Sequence, residues 1–239
     1  MVRLLQYAEG KAESAPPRIL PFAIFMAFIA STPLLQWGLS QLSGSVSTSD
    51  LMLLWLYPLR AVAVLLLLVH FWPLYTELHE QVWENWQELA LTIMVGTFVY
   101  ILWVRMNWAW ATQGQAAGYN PFQSDIGIGI ILAGMRVFGA TIVVPLMEEL
   151  FWRSFLLRFL VKSPYASVPL GTFSVFSCVA TVVLFGLEHH HWLAGIMAGL
   201  VYNLLLYKTR RLWPCVVAHA STNFALSIHV LVTGEWQWW

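Results

Sequence analysis

Charge is scarce in this chain: 12 Lys and Arg and 12 Asp and Glu make up 10% of 239 residues, against roughly 25% in an ordinary soluble domain. Apolar side chains fill the gap at 59%, which excludes a water-soluble globule of normal design. The opposite charges cancel, so there is no field to gather nucleic acid and no polybasic tail for anionic lipid. Nucleic-acid partners are not expected. Cysteine is nearly absent as well. Cys178 and Cys215 each sit in an apolar run with no second Cys or His at zinc-finger spacing, which argues against a disulfide framework or a structural zinc. Internal repeats and low-complexity tracts are missing. No short apolar core with a small-residue cleavage site follows the polar N-terminus, so the first apolar segment is expected to be a retained helix.

What the chain does have is apolar length. Windows at 19–39, 51–72, 86–108, 126–144, 168–187, 192–207 and 212–232 are each about 20 residues, enough at ~1.5 Å per residue to cross a ~30 Å hydrocarbon core. A further piece, LMEELFWRSFLLRFLV, mixes apolar bulk with charge and reads as an eighth, half-buried span. The expected fold is therefore all-α, a polytopic membrane protein with seven or eight transmembrane helices. Breaker-rich segments at 43–50, 114–125 and 162–167 separate the windows. Residues 1–18 read as a short cytoplasmic segment and 19–239 as a single transmembrane domain, with the chemistry-bearing motifs in 141–231.

Basic residues set the orientation. Arg3, Lys11 and Arg18 precede the first window, Arg153, Arg158 and Lys162 follow the fourth, and Lys208, Arg210 and Arg211 follow the sixth, all on one side and so cytoplasmic. Residues 73–85 run against this rule, carrying Glu77, Glu80 and Glu84 and no Lys or Arg, and Arg105 sits near an outer end. The fourteen tryptophans, including Trp236, Trp238 and Trp239, fit an interfacial belt.

An ionisable group inside an apolar segment is costly and is a functional candidate by default. In the C-terminal half these groups cluster: Glu148, Glu149 and Arg153 together, Glu188 with His189, His190 and His191, and His219 with Asn223. Residues four apart share a helix face, and adjacent ones point about 100° apart. Glu149 can thus pair with Arg153 while Glu148 points elsewhere, free for proton transfer. Pro145 is expected to break or bend the helix just upstream. Phe185 with His189, and His219 with Asn223, repeat the four-residue spacing. Three such pieces suggest a shared cavity. They reach one only if the chain after Pro145 re-enters the membrane or the fifth span is short, and a discontinuous helix is expected.

EELFWR at 148–153, FGLEH at 185–189 and HASTN at 219–223 resemble, in order, the EExxxR, FxxxH and HxxxN motifs of the CAAX protease and bacteriocin-processing family of intramembrane endopeptidases. The surrounding VVPLMEELFWRSFL is similar to a bacterial subgroup found with exosortase sorting systems. The resemblance implies peptide-bond hydrolysis with no metal, cofactor or acyl-enzyme. Glu148 and His189 would activate a water, Glu149 and Arg153 would support them, and His219 with Asn223 would stabilise the oxyanion. It also implies a multi-pass protein of the bacterial inner membrane acting on a peptide or protein substrate, lipidated or otherwise membrane-anchored.

Other readings stay open. Glu149 and Arg153 form a structural ion pair in one. His219 and Asn223 are interhelical hydrogen-bonding residues in another. His190 and His191 read as interfacial, and Glu188 as an interfacial group or one that supports the site from behind. Arg60 and Arg136 lie in apolar windows, Arg60 snorkelling after Pro58 and Arg136 with an unnamed carboxylate partner. A non-catalytic protein that binds a peptide or lipid-linked partner through the same cavity is the alternative function. Zinc is a lesser one, because neither HExxH nor HxxEH occurs and three adjacent histidines cannot all face one ion.

Overall fold

A computed structural model describes residues 14–43, 53–114, 118–123 and 125–239. Arg3, Lys11, residues 44–50 of the first breaker segment, and 115–117 and 124 of the second lie outside the described residues. Among those described, there are seven helices and no strand: α1 Pro16–Ser43, α2 Leu56–Phe71, α3 Trp86–Arg105, α4 Ile126–Phe159, α5 Val175–Leu187, α6 Trp192–Thr209 and α7 Leu212–Thr233. Five of them, α1 to α4 and α7, are long and apolar enough to cross a membrane. The chain is an all-α multi-pass membrane protein. Its outward faces carry exposed aliphatic side chains such as Leu34, Ile126 and Val232, as expected where the neighbours are acyl chains.

The expected break at Pro145 does not occur, and the piece read as an eighth span is the second half of α4, which runs for 34 residues. The reason lies just upstream. A proline has no N–H, and its ring crowds the carbonyl four residues back. Gly139–Val143 runs as a π-helix, with the Val144 N–H bonded to the Gly139 carbonyl, and this wider turn lets the helix continue through Pro145. A second π stretch, Leu150–Leu156, follows the glutamates. One extra residue in a turn retards the rotation by ~100°, so Arg136 and Glu148, ~120° apart on an ideal helix, come within ~20° of one face.

The fifth helix is short. Pro169 and the left-handed Gly171 (φ +74) hold the apolar residues before Val175 out of it. At 13 residues α5 covers ~20 Å of a ~30 Å core. Convergence of the three motifs thus rests on this short helix and on the wide turns of α4, with no discontinuous span. Small residues set the close helix crossings. A Cβ on Gly195 would lie 2.9 Å from the Gly186 Cα, between α5 and α6, and one on Gly96 of α3 would collide with the Ala218 carbonyl of α7.

The acidic segment that ran against the charge rule is explained by pairing. The Arg18 guanidinium donates from Nη2 to Glu77 Oε2 at 2.5 Å and from Nε to Oε1 at 2.8 Å. The Ser154 hydroxyl donates to the same carboxylate. Arg211 meets Glu88 at 2.9 Å, Glu84 at 3.3 Å and Glu80 at 3.8 Å. The acids are counter-charges for basic residues at the same end of the bundle.

Burial alone would raise the Glu77 carboxyl, but the Arg18 hydrogen bond and charge, with Ser154 as a further donor, outweigh it and hold Glu77 below its ordinary value. A lowered folded-state value contributes stability above the ordinary carboxylate range, and that contribution is lost as pH falls through the lowered value. The wild-type thermal midpoint in detergent is therefore expected to fall more steeply below pH ~4 than that of Glu77→Gln, which is itself less stable at neutral pH by ~3 kcal/mol, the cost of breaking a buried ion pair. Parallel pH profiles for the two proteins would refute this.

Candidate active site

The three motifs meet. Glu149, fully buried on α4, accepts from Arg153 Nη1 at 3.1 Å and from His219 Nδ1 at 2.9 Å through the same oxygen, Oε1. Arg153 reaches on to the Gly199 carbonyl of α6 at 3.3 Å. Its guanidinium lies 4.5 Å from the Phe185 ring and 5.3 Å from that of Tyr202. His219 stacks on Tyr202 with centroids 5.1 Å apart. The Tyr202 hydroxyl in turn donates to Thr222, which donates to the Gly96 carbonyl. The ring of His219 is thereby fixed from two sides.

Glu148 points the other way, as the ~100° step requires, into a cavity of about 290 Å³ whose wall also includes His189, His219, Asn223 and Glu188. Its Oε2 is buried with no hydrogen-bond partner among the described residues and lies 3.9 Å from His219 Nε2. His189 Nδ1 is 2.7 Å from the Phe185 carbonyl. A carbonyl only accepts, so Nδ1 carries the proton and the neutral ring presents a basic Nε2. Glu149 and Arg153 stand behind this wall, outside the cavity.

Asn223 makes the interhelical hydrogen bond that one reading of the sequence allowed, to a carbonyl the sequence did not name. In a π turn the carbonyl of residue i is closed by the N–H of residue i+5, and for Ala140 that residue is Pro145, which has none. Asn223 Nδ2 donates to Ala140 O at 2.9 Å in its place, leaving its second amide hydrogen for the cavity it lines.

Several wall residues were missed or misread. Glu188, read as interfacial or as a supporting group, has a side chain only 11% exposed and faces the cavity. It caps the C-terminus of α5. Gln113 clamps this turn, its side-chain amide donating to the Leu187 carbonyl at 2.7 Å and the His189 carbonyl at 3.0 Å. His191 is buried against Trp238, rings 4.4 Å apart, and Trp238 and Trp239 wall the cavity instead of joining an interfacial belt. Arg60 and Arg136 line it too, and Arg136 sits 3.9 Å over the Tyr57 ring with no carboxylate beside it among the described residues. Among the described residues, Glu148, Glu188 and His189 are the group able to share a metal ion, with ligand atoms within 4.8 Å of one another. Zinc bonds of ~2.1 Å would have to draw that spread inward.

Fold and cavity together define a multi-pass membrane protein with a buried acid and imidazole centre. Residues 131–225 match the family model of the type II CAAX prenyl endopeptidase Rce1-like proteins. The recognition drawn from the three motifs is borne out at family level over that segment, which contains every residue of the three motifs. The match lends nothing to the exosortase-associated subgroup. No curated protein and no solved structure matches the chain.

Asn223→Ala leaves the Ala140 carbonyl without its donor, so the variant is expected to lose ~1–2 kcal/mol of stability. In a Pro145→Ala background a new N–H can close on Ala140, and the same substitution should cost measurably less. Thermal or denaturant unfolding of the double-mutant cycle measures the coupling; equal costs in both backgrounds would remove the link.

Proposed function

We propose that this protein is an intramembrane endopeptidase of the CAAX-protease type that hydrolyses a peptide bond with a water activated by Glu148 and His189. The observation that carries the reading is the cluster of Glu148, Glu188 and His189 donor atoms, within 4.8 Å of one another at a cavity wall. A water held there gives a proton to the Glu148 carboxylate or to His189 Nε2 as its oxygen attacks the substrate carbonyl. His219 Nε2 and the second amide hydrogen of Asn223 stabilise the oxyanion. The His219 ring is oriented by its Nδ1–H on Glu149, whose carboxylate Arg153 holds in place. The proton taken from water then passes to the leaving nitrogen.

In this reading residues 19–239 form one transmembrane domain with the N-terminal segment on the cytoplasmic side of a bacterial inner membrane. The bilayer and a membrane-anchored or lipidated peptide are its partners. The same trio of donor atoms favours a second reading, a metal-assisted hydrolase with a divalent ion between Glu148, Glu188 and His189.

Glu148→Gln and His189→Phe are each expected to cut turnover at least ~100-fold with the thermal midpoint unchanged. Comparing membrane-proteome termini from cells carrying wild type or Glu148→Gln reads this without a known substrate. Unchanged processing by Glu148→Gln would leave a peptide-binding protein. Loss of wild-type activity to a chelator, together with metal in the purified protein, would favour the second reading.

A further inference from the structure

The two arginines of the cavity wall are not used by this chemistry. Arg60 on α2 and Arg136 on α4 both lie in membrane-spanning helices and both line the cavity that holds Glu148 and His189. Neither guanidinium donates a hydrogen bond or pairs with a carboxylate among the described residues, and the Nε of each is buried and unsatisfied. The other arginines that are at least half-buried, Arg18, Arg153, Arg158 and Arg211, all donate to a carboxylate or a carbonyl. What holds the exceptional pair is aromatic. Tyr57 has Arg60 4.6 Å from its ring centre and Arg136 3.9 Å from it, Phe25 lies 4.6 Å from Arg60, and Trp239 lies 6.0 Å from Arg136.

Two cations side by side on one ring repel each other, and the ring faces offset only part of the cost of taking them from water. An intramembrane cation is tolerated where it faces a wet cavity or meets an anion. Here the planar forks keep their donors unspent, in the geometry that grips a carboxylate through two parallel hydrogen bonds. The wide turn of α4 puts Arg136 and Glu148 on one face, so a peptide lying against that face reaches both.

We infer that Arg60 and Arg136 form an anion subsite of the cavity that takes a carboxylate of the peptide substrate, either its C-terminal group or an acidic side chain. The inference rests on the peptidase reading for its choice of ligand. It makes the pair determinants of specificity; neither arginine acts on the scissile bond.

Binding tests it apart from cleavage. Full-length Glu148→Gln protein in micelles is titrated with a library of short apolar peptides, each made as free acid, as C-terminal amide, and with one internal Glu or Gln. The acid-bearing forms are expected to bind about tenfold more tightly or better. The position of the favoured carboxylate tells the terminal group from the side chain. Arg60→Gln with Arg136→Gln should erase the preference, and the paired Lys variants, which keep the charge but not the fork, should retain part of it and report on folding. Acid and neutral peptides binding alike would overturn the inference. So would a preference that survives the double Gln substitution, or one abolished by adding phosphatidylglycerol, since the pair would then hold a lipid headgroup. Intact acid preference with no cleavage by the wild-type protein would sink the peptidase reading and leave the subsite standing.

Discussion

Oε1 of Glu149 receives two donors, Arg153 at 3.1 Å and His219 at 2.9 Å, in a position with no solvent exposure. Burying such a pair gains little stability over an apolar core, because desolvation consumes most of the attraction. Its effect is positional. Arg153 binds α4 to α6 through the Gly199 carbonyl and to α5 through the face of Phe185. His219 brings α7 to the same point. Without that oxygen the imidazole would lose the partner that fixes its tautomer and turns Nε2 towards Glu148.

The remaining charges divide into two populations. At one end of the bundle the basic and acidic residues neutralise each other, Arg18 with Glu77 and Arg211 with Glu80, Glu84 and Glu88. In the cavity they do not. Glu148, Glu188, Arg60 and Arg136 all face it, and no ion pair joins either acid to either arginine among the described residues. A chain with so few charges has gathered four of them around one cavity, where each is costly to bury.

The membrane class and most of the helices were legible in the sequence, because apolar length is a direct consequence of bilayer thickness. The four-residue spacings correctly separated Glu148 from the Glu149–Arg153 pair. Hydropathy could not see where α5 begins, since 168–174 are apolar yet kept from helix by Pro169 and Gly171. Nor could it see the π turn, which has no sequence period of its own and converts Pro145 from a break into a continuation. The rule that flags buried charge did pick out Arg60 and Arg136, but two residues on different helices reveal a shared wall only once the packing is known. Glu188 falls at none of the motif positions, and its place at the cavity follows from its lying at the end of α5.

The continuity of α4 turns the helix into a ruler. From Arg136 to Glu148 the axis rises ~18 Å, a length that an extended polypeptide covers in about five residues. A chain gripped at one end of that edge would present a bond about that many positions away to the other, so cleavage would be measured from an anchored charge as much as read from local side chains.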